Sequence, residues 1–139
     1  MNTEKSKYVL DTSALFCLKD NEEGSNKVEE LLEKASHKQC EVLISFITLM
    51  EYYYICLMRY GDDIARQAYL QVSLLPIKAI ESNEDLRITA AQLKANYPIS
   101  VADAWIAATA VNYTAVLVHK DPEYDSLGGA LKCLVLPYK

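Results

Sequence analysis

With 139 residues, 51% of them hydrophobic, and a formal net charge of −5, the chain has material for one core of ordinary size and too little for two, so residues 1–139 are expected to form a single domain. The acidic total argues against a partner held by bulk charge, because a polyanion such as nucleic acid is normally met by a basic surface. The longest apolar-rich stretch, Val42 to Met50, carries Ser45 and Thr48 within nine residues, far short of the ~20 needed to cross a bilayer.

The N-terminus, Met1-Asn2-Thr3-Glu4-Lys5-Ser6-Lys7, runs directly into Tyr8-Val9-Leu10 with no apolar leader and no small-residue cleavage site, so a cytoplasmic location is expected. Tyr8-Val9-Leu10 has strand length, as do Val42-Leu43-Ile44, Leu74 to Ile80, Ala115 to Val118 and Cys133 to Leu136. Most of these runs show little polar alternation, which predicts strands covered on both faces and therefore a mainly parallel sheet. Between them, Val28, Leu31, Leu32 and Ala35, and again Leu86, Ala90, Leu93 and Tyr97, recur at helical spacing along one buried stripe. Ser25 and Ser82 are the expected N-caps of these two helices, and Gly61 and Gly128-Gly129 fall where helices should stop. Strands alternating with helices along the whole chain predict a three-layer α/β/α sandwich around a central, mainly parallel sheet of four to five strands. Cys17, Cys40, Cys56 and Cys133 are widely spaced, lack a C-x-x-C pair and have apolar neighbours, the pattern of reduced core thiols.

Four acids stand beside apolar segments at junctions between strand and helix. Asp11 ends the first strand, Glu51 lies early in the helix after Val42-Leu43-Ile44, Asp103 opens Ala102-Asp103-Ala104-Trp105-Ile106, and Asp121 follows Leu117-Val118-His119-Lys120. In a parallel sheet these junctions share the carboxyl edge, where ligands bind in open α/β folds. Each acid taken singly reads as a cap: Asp121 precedes Pro122, and Ser100-x-x-Asp103 and Thr48-x-x-Glu51 have the form of capping boxes. Caps need not be carboxylates or converge on one pocket, so capping accounts poorly for the set. Carboxylates converging in one cleft repel one another unless cations lie between them. Oxygen ligands without a cysteine or histidine cluster favour Mg²⁺ or Mn²⁺. His37 follows a helix in polar surroundings and reads as solvated.

The segments Tyr8-Val9-Leu10-Asp11-Thr12-Ser13-Ala14-Leu15, Ile47-Thr48-Leu49-Met50-Glu51, Ile99 to Ala110, and Leu117-Val118-His119-Lys120-Asp121-Pro122-Glu123-Tyr124 together resemble the PIN-domain family in order and spacing, with the VapC-like toxins nearest. The resemblance implies an endoribonuclease cutting single-stranded RNA with a metal-activated water. It further implies that Asp11, Glu51, Asp103 and Asp121 are both the catalytic residues and the ligands of one or two Mg²⁺ or Mn²⁺ ions. Thr12 and Ser13 are candidates for positioning phosphate or water, and His119, standing where the family more often has threonine or serine, is a candidate general acid or RNA contact set against the reading of a spectator at a strand end. Asp125 is the rival for the fourth acid. A VapB-like antitoxin and a homodimer are the partners such a resemblance implies.

Two divalent ions would bring the formal charge from −5 to about −1, which removes the pocket's repulsion of phosphate. Lys7, Lys19, Arg59, Lys94 and Lys120 are the candidate phosphate contacts. A dehalogenase-like phosphatase needs a second aspartate where the chain has Ser13, and a receiver domain needs a phosphoacceptor aspartate that Val42-Leu43-Ile44-Ser45 does not lead to. The remaining alternative is a catalytically inactive PIN-type RNA- or protein-binding module. Tyr52, Tyr53 and Tyr54 step about 100° apart around a helix, so at least one should be exposed, at a homodimer surface or between elements of one monomer.

Overall fold

Unbroken apolar runs lacking a polar face find burial on both sides only in the middle layer of a domain, and that is where the strands lie. A computed structural model describes residues 5–139. Its chain order is β1 (Lys7–Leu10), α1 (Thr12–Lys19), α2 (Ser25–Ser36), β2 (Glu41–Ser45), α3 (Phe46–Tyr60), α4 (Asp62–Ser73), β3 (Lys78–Ile80), α5 (Glu84–Asn96), α6 (Val101–Asn112), β4 (Val116–His119), a 3₁₀ segment (Pro122–Ala130) and β5 (Cys133–Val135). The five strands form one sheet in the order β3-β2-β1-β4-β5, and every pairing is parallel.

Successive side chains point to opposite faces, so the central strands feed two cores. Leu10, Val42, Ile44 and Val118 pack with residues of α1 to α4, while Val9, Leu43 and Leu117 pack with α5 and α6. The result is the α/β/α sandwich expected from the sequence. Among the described residues no helix is long and apolar enough to cross a membrane.

Several local expectations shift by a residue or more. The caps are Gly24 and Asn83 rather than Ser25 and Ser82. Gly24 has φ of 101°, a left-handed conformation that favours glycine, and Ser25 instead sits inside the helix with its hydroxyl donating to Asn21 Oδ1. Asn83 Oδ1 accepts from the Leu86 N–H at 2.9 Å. Of Leu74 to Ile80 only Lys78–Ile80 is strand, because Leu74 and Leu75 donate back to Gln71 and Val72 and extend the end of α4. Gly61 does separate α3 from α4, but Gly128 lies within the 3₁₀ segment, at a kink with φ of 52°. Cys17, Cys40 and Cys56 are buried and free as expected, whereas free Cys133, on edge strand β5, is exposed. Of the three tyrosines of α3, Tyr52 is buried against Phe16, Tyr53 packs on Tyr69 of α4, and Tyr54 is 43% exposed.

Candidate active site

In this strand order β1 is followed on one side by β2 and on the other by β4, so the connections leaving β1 and β4 diverge and open a crevice at their carboxyl ends. Asp11 follows β1 directly and Asp121 comes two residues after β4. Asp103 enters from the first turn of α6 and Glu51 from the second turn of α3. Four segments far apart in sequence thus deliver acids to one edge of the sheet.

The closest group is Asp103, Asp121 and Glu123, whose carboxylate oxygens lie within 4.8 Å of one another. Asp11 joins them through a phenol. The Tyr124 hydroxyl, on a side chain only 2% exposed, is 2.6 Å from Asp11 Oδ1 and 2.9 Å from Asp103 Oδ1. A hydroxyl has one proton, so with both acids ionised it can donate fully to only one of them. The other oxygen of Asp11 accepts from the Ser13 N–H and hydroxyl, and that hydroxyl in turn accepts from the Lys120 N–H at 2.9 Å. Ser13 thereby ties the end of β1 to the residue after β4. Glu51 stands at the rim, its Oε1 accepting from the Thr12 hydroxyl at 2.7 Å. The hydroxyls of Thr12 and Ser13 therefore orient acids.

The capping explanation separates the acids. Asp11 and Asp121 do cap, accepting from Ser13 N–H and Glu123 N–H respectively. Ser100 caps α6 by accepting from the Asp103 N–H, but its own N–H goes to Glu123, so the reciprocal half of the box is absent. Ser45, not Thr48, caps α3, so Glu51 belongs to no box either. Neither Asp103 nor Glu51 is the cap of its helix.

Burial, then the charge of Asp11, pushes Asp103 up to about 8, against the lowering effect of its bond to Tyr124. Burial also raises Glu51, opposed by the Thr12 hydroxyl and reinforced by the charges of Asp11 and Asp121. Both shifts follow from crowding carboxylates in a buried crevice, and an all-oxygen donor set of this kind suits Mg²⁺ or Mn²⁺. Burial lowers His119, which is 1% exposed and neutral. Its Nδ1 accepts from the Asp121 N–H at 3.1 Å and its ring lies 4.8 Å from that of Tyr124. The imidazole thus sits beneath the acids with no surface toward a substrate. Asp125 turns away, accepting from the Tyr138 hydroxyl at 2.8 Å.

Among the candidate cations, Arg59 and Lys120 line a cleft beside Asp121, Lys7 begins β1 at the opposite sheet edge, Lys19 lies over the Tyr60 ring, and Lys94 is exposed on α5. Sequence reasoning missed Glu123 and Tyr124 as members of the site. Pro122 at a helix start was legible, and three residues per turn would return residue 124 toward the face of residue 121. No sequence signal placed the phenol between two acids.

A doubly wound parallel sheet with acids gathered over its switch point defines an α/β protein with a candidate centre for divalent cations. The family profile "PIN domain" matches residues 8–130, and the chain belongs to the PIN-domain family. No curated protein matches it by sequence. Among solved structures it is similar to VapBC2 of Rickettsia felis bound to a promoter DNA fragment, with TM-score 0.74 and 20% identity over 94% of this chain and 99% of the other. DNA-bound VapBC of Salmonella typhimurium gives 0.71 and 22% over 93% and 97%. VapC20 of Mycobacterium tuberculosis, described as a sarcin-ricin loop cleaving toxin, gives 0.67 and 17% over 87% and 95%.

Proposed function

We propose that the chain is a divalent-metal-dependent endoribonuclease that cuts single-stranded RNA and serves as the toxin of a toxin-antitoxin pair. The observation that carries this reading is the convergence of Asp11, Asp103, Asp121 and Glu123, with Glu51 at the rim, where burial leaves Asp103 raised to about 8. Membership of the PIN-domain family and likeness to toxin-antitoxin complexes and to a toxin described as sarcin-ricin loop cleaving support it.

Asp11, Glu51, Asp103 and Asp121 are the ligand set, with Glu123 a fifth carboxylate in reach. One or two Mg²⁺ or Mn²⁺ ions, when bound, supply a more acidic water and positive charge for the phosphate. The chain's own groups keep the ligands in place. Thr12 orients Glu51, Ser13 orients Asp11, Tyr124 spans Asp11 and Asp103, and His119 fixes the backbone that carries Asp121. An antitoxin suits the exposed apolar side chains of α3 and α4, where Met50, Met58, Leu70 and Leu74 are 54%, 80%, 55% and 85% exposed.

The test is cleavage of single-stranded RNA with Mg²⁺ or Mn²⁺ and with excess EDTA, using Asp11→Asn to exclude contaminating nuclease. Cleavage should require metal, and full activity in EDTA would overturn the mechanism. Unpartnered expression should arrest growth, and Asp103→Asn should relieve the arrest. An inactive binding module would instead take up no Mn²⁺ with defined stoichiometry and leave RNA intact.

A further inference from the structure

Beside the acids lies a cleft of about 360 Å³ whose wall includes Ser13, Phe16, Arg59, Lys120, Asp121 and Tyr138. It shares Ser13 and Asp121 with the acid cluster, so a strand whose phosphate lies at the acids has this cleft directly beside it. The wall sets three cations, Arg59, Lys120 and Lys139, against three acids, Asp20, Glu22 and Asp121, and the cations differ in how far they are committed. Lys120 is buried in the floor, its Nζ 3.2 Å from Glu22 Oε1 and 2.9 Å from the Glu23 carbonyl. Glu22 is further neutralised by Lys139 at 2.7 Å. Arg59 is held only loosely, 3.9 Å from Asp20 Oδ2 with its side chain half exposed, while its guanidinium lies 5.0 Å from the centre of the Phe16 ring. A guanidinium stacked on an aromatic face keeps its donors directed outward and suits a phosphate. Tyr138 is 39% exposed, and its hydroxyl is anchored on Asp125, which holds the ring at a fixed angle beside the cleft. An anchored, partly exposed aromatic ring is a stacking platform for an unpaired base.

We propose that this cleft is the subsite for the nucleotide adjoining the phosphate to be cut, with Tyr138 stacking on its base and Arg59 binding its outer phosphate. The proposal rests on the reading of the acid cluster as a nuclease site. It also names a reason for single-strand preference, since a base already paired and stacked in a duplex cannot lie on Tyr138.

The test measures binding of a labelled single-stranded oligoribonucleotide to the full chain in Ca²⁺, by anisotropy, alongside Mn²⁺ binding by electron paramagnetic resonance. Arg59→Ala and Tyr138→Ala should each raise the RNA Kd at least about fivefold. Arg59→Ala should also lower the slope of log K against log salt by roughly 0.7. Mn²⁺ binding should remain that of wild type, and Lys94→Ala should leave RNA affinity unchanged. Tyr138→Phe keeps the ring but loses its anchor on Asp125, and should lose clearly less affinity than Tyr138→Ala. Wild-type RNA affinity in both alanine variants, or a loss in Tyr138→Phe as large as in Tyr138→Ala, overturns the subsite while leaving the nuclease reading intact. A wild-type protein that binds neither Mn²⁺ nor RNA overturns both.

Discussion

Replacing Tyr124 with Phe removes one oxygen and little else, because the ring is buried in the core formed with α5 and α6 and Phe fills the same space. The lost oxygen touches Asp11 Oδ1 at 2.6 Å and Asp103 Oδ1 at 2.9 Å, on carboxylates that are 3% and 7% exposed. Water cannot readily replace it there. A hydrogen bond to a charged group contributes about 1.5–3 kcal/mol, and a buried acceptor left without its donor costs a similar amount. In EDTA at neutral pH, Tyr124→Phe should therefore lose about 1.5–3 kcal/mol, a fall in Tm of roughly 5–10 °C for a chain of this size. With saturating Mn²⁺ the deficit should shrink to a minor part, because cations then provide the countercharge that the phenol proton provides in their absence. Thermal and urea melts of both proteins, each in EDTA and in Mn²⁺, measure the difference. A deficit equal under both conditions would show that the phenol does not stand in for a cation between these acids. No deficit in EDTA would show that the bridge contributes nothing.

Asp103 folds with its carboxyl raised to about 8 and unfolds to an ordinary carboxyl, so between roughly pH 4 and 8 the folded state holds a proton that the unfolded state has released. Stability in EDTA should fall as pH rises through that window, by at most about 1.4 kcal/mol per unit, and Asp103→Asn should flatten the dependence in denaturant melts. Over the same range Mn²⁺ affinity should increase with pH, because the ion displaces that proton. At free Mn²⁺ near 100 times its Kd, wild type should gain about 2.7 kcal/mol, and Asp11→Asn and Asp103→Asn should lose most of the gain; equal gains in all three would show that these aspartates hold no metal. Asp125→Asn should reduce RNA cleavage far less than Asp121→Asn, since Asp125 is bonded to Tyr138. Gly24→Ala should cost about 1–3 kcal/mol of unfolding free energy in urea melts, because φ there is 101° and a methyl would meet Pro137 Cδ at 3.0 Å.

Much of this arrangement was legible one residue at a time. Strand-length apolar runs without alternation imply burial on both faces, and that alone leads from Tyr8-Val9-Leu10 and Leu117-Val118 to a parallel middle layer. Parallel strands put all their carboxyl ends on one edge, which is why Asp11, Glu51 and Asp121 stood out among nineteen acids; Asp103, expected at a strand–helix junction as well, instead follows the turn from α5 to α6, with no strand before it. Local chemistry that neighbouring residues can exchange was harder to assign: Gly24 and Asn83 displaced the adjacent serines as caps, and the end of α4 took residues that hydropathy alone assigned to β3. Only the tertiary structure decided which acids meet. Strand order sets the crevice between β1 and β4, and no pattern along the chain encodes that β1 lies between β2 and β4. The turn after β4 then aims Asp121 and Glu123 at Asp103, sends Asp125 to Tyr138 and inserts the Tyr124 hydroxyl between Asp11 and Asp103. Arg59, at the far end of α3 from Glu51, reaches the same edge only because α3 packs across α1. Sequence determines which residues are buried and where strands end, because burial is a local property of apolar pattern; the meeting of side chains more than a hundred positions apart is a property of topology alone.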